Sequence, residues 1–73
     1  MYYFYMKFFK AKLKELRKNN FLTQAQLAKQ LCVSKQTIAK WEEAQQEPKL
    51  KSLLKLCKFF DVRLHDLIGV DED

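Results

Sequence analysis

A chain of 73 residues has room for one small hydrophobic core, and a 48% apolar content is enough to build it. A single Gly and a single Pro are too few for a turn-rich β-fold, while two cysteines and one His make neither a disulfide framework nor a zinc site. The net charge of +5 favours a polyanionic partner, and no apolar run approaches the roughly 18 residues of a membrane span.

The chain opens with Met1-Tyr-Tyr-Phe-Tyr-Met-Lys-Phe-Phe9, which has no basic stretch ahead of it and no small-residue cleavage site. It is a poor signal peptide, so a cytoplasmic location is expected. β-propensity favours an extended strand over residues 2–5, with an early start of the first helix as the alternative. Another reading places residues 1–5 upstream of a natural start at Met6. So many exposed aromatics would form a large adhesive patch, so residues 1–8 are expected to act as an arm packed on its own domain or across a dimer partner.

Phe9, Leu13 and Leu16 form one stripe of a first helix ending near Asn19-Asn20, residues that tolerate a left-handed helix exit. Thr23 can cap a second helix, Gln26 completes a capping box, and Leu27, Ala28 and Leu31 recur at helical spacing. Only Cys32-Val33 separates this helix from Ser34, the cap of a third helix with Ile38 and Trp41 on its apolar side. Two helices joined so tightly must cross steeply, in helix-turn-helix geometry. Residues 45–49 make a polar connection containing Pro48.

A fourth helix over about residues 50–60 is expected to turn Leu50, Leu53, Leu54, Cys57 and Phe60 inward, with Asp61 as its exit. The thiol of Cys57 then reads as buried, which suits a reducing compartment. A short fifth helix over about residues 64–68 packs Leu64, Leu67 and Ile68 and ends at Gly69, with His65 on the surface. The fold class is thus all-α with five helices. One domain covers residues 9–69, and an acidic tail, frayed at its end, covers residues 70–73.

Charge is unevenly spread. Residues 7–18 carry six basic side chains against Glu15, whereas residues 61–73 carry Arg63 against five acids. A basic body with an acidic end suits a polyanion on one face. No cluster of His with carboxylates, no activated nucleophile and no Gly-rich loop is evident, so neither catalysis nor a cofactor nor a small-molecule substrate is expected.

From about residue 9 to residue 68 the chain resembles the Cro and phage-repressor type helix-turn-helix domain, the XRE family. The resemblance lies in the order and spacing of Leu13-Lys-Glu-Leu-Arg17, Thr23-Gln-Ala-Gln-Leu-Ala28, Leu31-Cys-Val-Ser34, Thr37-Ile-Ala-Lys-Trp-Glu42, Glu47-Pro48, Leu53-Leu-Lys-Leu56 and Asp61-Val-Arg-Leu-His-Asp-Leu67. It implies a compact lambda-repressor-like domain whose third helix lies in the DNA major groove.

In that arrangement Lys35, Gln36, Thr37 and Lys40 would meet base edges. Gln can pair with adenine, Lys with guanine, and the Thr methyl can touch a thymine methyl. Gln24, Ser34, Lys49 and Lys51 would meet phosphates, and Lys10 and Lys14 would add long-range attraction. Arg17 and Glu42 would form an ion pair that orients the third helix, and Trp41 would be core.

The chain also departs from the family pattern. Cys32 and Ala44 stand where Gly is usual, and a left-handed backbone at Cys32 would cost about 1 kcal/mol or more. Glu47 stands where a basic loop is common and would repel phosphate. The resemblance implies a transcriptional regulator, foremost a repressor that occupies a near-palindromic operator as a homodimer, with the region of the fourth and fifth helices, Phe59 included, as the dimer surface. The alternative is a protein-interaction module on the same fold, such as an antitoxin or a coactivator.

Overall fold

The computed structural model describes residues 2–69, with side chains from Tyr5 onward. Five helices and no strand occur among the described residues: α1 (Tyr2–Asn19), α2 (Gln24–Leu31), α3 (Lys35–Glu42), α4 (Leu50–Phe60) and α5 (Leu64–Ile68). The acidic tail of residues 70–73 and the side chains of Tyr2, Tyr3 and Phe4 lie outside the described residues.

No extended strand forms at residues 2–5. The aromatic segment opens α1 instead, and the helix starts well before Phe9. Packing overrides local β-propensity here: Met6, Phe9 and Leu13 follow one another at helical spacing, and all three are buried. With Leu27, Ala28, Leu31, Ile38, Trp41, Leu53, Leu56 and Leu67 they form the core. Each fully buried Leu or Phe stabilises the fold by about 1.5–3 kcal/mol. α1 packs on α3 and α5, α2 packs on α3 and α4, and α4 packs on α5.

α4 corrects the expected stripe. Leu53 and Leu56 point inward, while Leu50 and Leu54 are 62% and 52% exposed. Two overlapping apolar stripes run along this helix, and the core takes the one that contains Leu56. Cys57 and Phe60 are half-buried.

The helix exits share one device. Phe21, Cys32, Ala44 and Asp61 all have positive φ, at 57°, 59°, 57° and 56°, and Gly69 has φ 70°. After α1, α2 and α3 the amides of the positive-φ residue and of the residue after it bond back to the helix's last turns, as in Cys32 N to Lys29 O at 3.3 Å and Val33 N to Ala28 O at 3.0 Å. This is the Schellman arrangement. The expected left-handed exit at Asn19-Asn20 falls instead on Phe21, because Asn20 remains tied to α1 through its side-chain amide, which donates to Leu16 O at 2.7 Å. Gly69 lies so close to the Phe8 ring that a Cβ there would overlap it.

Candidate nucleic-acid interface

The geometry of α2 and α3 begins with their caps. Thr23 Oγ1 accepts from Gln26 N at 3.0 Å, and Gln26 Oε1 accepts from Thr23 N at 2.8 Å, a complete capping box. Cys32 then turns the chain through the left-handed region, and Ser34 Oγ accepts from Thr37 N at 3.1 Å to start α3. Leu27, Ala28 and Leu31 of α2 and Ile38 and Trp41 of α3 are buried together, so the opposite face of α3 turns outward.

That outward face carries Lys35, Gln36 and Lys40, all exposed, with Thr37 and Ala39 half-buried beside them. Long polar side chains thus surround a small residue, which permits close approach to a groove. The Thr37 hydroxyl shares a hydrogen bond with Ser34 Oγ at 2.9 Å. Both hydroxyls therefore already serve the cap, and the Thr37 methyl remains for apolar contact.

Arg17 and Glu42 meet as a two-pronged pair. Arg17 Nε donates to Glu42 Oε2 at 2.6 Å and Nη2 donates to Oε1 at 3.0 Å. Arg17 Nη1 donates to Leu22 O at 2.8 Å, tying in the turn between α1 and α2. Gln24 Nε2 donates to Glu42 Oε1 at 3.1 Å. The side-chain amide of Gln24 is therefore drawn towards the end of α3, a partner that its position at the start of α2 did not reveal. Its backbone amide stays in the first turn of α2, at the positive end of the helix dipole. One hub of four residues so fixes where α3 sits relative to α1 and α2.

Lys49 is the N-cap position of α4 without a side-chain cap bond, and both it and Lys51 are exposed. Ser34 is exposed at the start of α3. The connection before Lys49 holds Gln45, Gln46 and Glu47 at the surface, with Pro48 buried. Glu47 Oε2 accepts a hydrogen bond from Tyr5 Oη at 2.7 Å, a link between the first helix and this connection that sequence spacing could not reveal. The left-handed turn at Ala44 did leave a signal, since Gly is usual there in the family.

The family model described as Helix-turn-helix (HTH_3) matches residues 13–67. The chain is 44% identical over 64 residues to the HTH-type transcriptional activator BcrR of Enterococcus faecalis, covering 88% of this chain and 31% of that protein. It is also 44% identical over 64 residues to an HTH-type transcriptional regulator of Methanocaldococcus jannaschii, and there covers 97% of the relative. The cryptic phage CTXphi transcriptional repressor RstR of Vibrio cholerae is 34% identical over 64 residues, 58% of its length. Among solved structures, a transcriptional regulator from Listeria innocua superposes with a TM-score of 0.83 at 26% identity, over 89% of this chain and 61% of that one. The SOS-response repressor LexA from Eubacterium rectale gives the same score and identity over 94% and 72%. With the caps, the left-handed turn and the Arg17–Glu42 hub in place, the chain belongs to the XRE-type helix-turn-helix family of transcriptional regulators.

Proposed function

We propose that this protein binds double-stranded DNA sequence-specifically through α3, as a homodimer on a near-palindromic operator, and represses by occupying it. The observation that carries the proposal is the division of α3. Ile38 and Trp41 anchor it in the core, while Lys35, Gln36 and Lys40 project from the opposite face. Lys35, Gln36, Thr37 and Lys40 would contact bases, and Gln24, Ser34, Lys49 and Lys51 would contact phosphates.

One short α3 offers few base contacts, so a two-fold dimer spanning half-sites about 34 Å apart would double them. The exposed Leu50, Leu54 and Phe59 give α4 an apolar surface for that pairing. RstR is named as a repressor and BcrR as an activator, so activation at a promoter is the second reading. Titrating a labelled duplex selected by the protein against a scrambled duplex of the same composition tests the proposal. Specific binding should exceed scrambled binding by about 10³-fold or more. Equal affinity for both would refute sequence-specific regulation and favour a protein-interaction module.

A further inference from the structure

Glu47 precedes Lys49 by two residues, in a stretch where a free carboxylate would oppose a phosphate backbone. Its carboxylate is held: Tyr5 Oη donates to Glu47 Oε2 at 2.7 Å, across 42 positions of sequence. Tyr5 lies in α1 ahead of residues 13–67, the part matched by the family model. The Tyr5 ring lies 6.5 Å from that of Phe9, centroid to centroid, and the Phe9 ring lies 6.5 Å from that of Trp41 on α3. Aromatic packing thus runs from α3 through Phe9 to Tyr5, and the Tyr5 hydroxyl returns to the connection that leaves α3.

We propose that Tyr5 is a positioning residue for DNA binding, whose hydroxyl holds the Glu47 carboxylate towards α1 and away from the phosphates that Lys49 meets. The proposal rests on the DNA-binding reading above. A surface Glu samples many rotamers, and a charge-assisted bond to a donor on a packed ring selects one of them. The early start of α1 then serves the interface as well as the core. Through Tyr5 it lessens the repulsion that Glu47 would otherwise bring, because the charge stays but is held at a distance.

The test uses the full chain, a fluorescein-labelled duplex of random sequence, and anisotropy titrations of wild type, Tyr5→Phe, Glu47→Gln and the double variant at several salt concentrations. Tyr5→Phe keeps the ring and deletes only the hydroxyl, and circular dichroism checks that the helices persist. Tyr5→Phe should weaken binding about threefold at low salt, the effect of one freed carboxylate near phosphates. The gap should close as salt shortens the Debye length. In the Glu47→Gln background Tyr5→Phe should change nothing, and Glu47→Gln alone should bind at least as tightly as wild type. Equal binding by wild type and Tyr5→Phe would overturn the proposal, as would an equal loss in the Gln background, the signature of a purely structural role. Failure of the wild type to bind any duplex would instead overturn the DNA reading itself.

Discussion

Replacing Cys32 with Gly should stabilise the protein, although it deletes a side chain. Cys32 has φ 59° at the end of α2 and its side chain is exposed, so little packing is lost. A non-Gly residue in the left-handed region costs roughly 1–2 kcal/mol, and Gly returns that while adding about 0.4–1 kcal/mol of unfolded-chain entropy. The net gain is about 0.5–1 kcal/mol. Near the melting point of a domain this size it raises Tm by about 2–8 °C.

Phe21→Gly should behave alike, since φ is 57° and the ring is 92% exposed. Ala44→Gly should lie nearer neutral, because Ala44 packs partly against the core and its methyl is lost. Gly69→Ala reverses the sign, combining a left-handed Ala with overlap against the Phe8 ring, for a loss of about 2 kcal/mol. Thermal melts by circular dichroism measure all four. A fall in Tm for both Cys32→Gly and Phe21→Gly would refute the strain argument.

Glu42→Ala strands the largely buried Arg17 guanidinium without its carboxylate and should cost about 3–5 kcal/mol, much of the total for a chain this short. Arg17→Met with Glu42→Leu should recover most of that in denaturant titrations while weakening DNA binding, because α3 loses its orienting hub; a double variant as unstable as Glu42→Ala would contradict this. Burial, and then the charge of Asp66, push the Cys57 thiol above its ordinary range, so iodoacetamide near pH 8 should alkylate Cys32 before Cys57. By the same shift the folded state holds the Cys57 proton longer than the unfolded state, so this thiol withdraws stability as pH climbs above the ordinary thiol range; mass spectrometry showing equal alkylation rates would count against it. If the proposed homodimer pairs through α4, Leu54→Lys with Phe59→Lys should shift sedimentation from dimer to monomer, and an unchanged dimer would exclude this surface.

Much of the helix-turn-helix was legible because its signals are local. The Thr23–Gln26 capping box, the Ser34 cap and the spacing of Leu27, Leu31, Ile38 and Trp41 depend on neighbours within a few residues. What escaped depends on tertiary choice. The start of α1 at Tyr2 was masked by aromatic β-propensity, although Met6 continues the stripe of Phe9 and Leu13 one turn backward. α4 offers two apolar stripes, and only docking against α2 and α5 selects Leu53 and Leu56 over Leu50 and Leu54. At the candidate site, the outward face of α3 followed from the periodicity of Ile38 and Trp41. The bonds Gln24–Glu42 and Tyr5–Glu47 join residues 18 and 42 apart, beyond the reach of spacing rules.

Whether α3 reads base edges is decided by selecting bound duplexes from a random pool with wild type and the single variants Lys35→Ala, Gln36→Ala and Lys40→Ala in parallel. Wild type should enrich a two-fold related pair of half-sites. Each variant should lose preference at one position per half-site, at a cost of about 1–3 kcal/mol against the best sequence. Lys49→Ala, run beside them, should weaken every duplex alike. An enriched sequence that is the same for wild type and all three α3 variants would show that these side chains do not read bases.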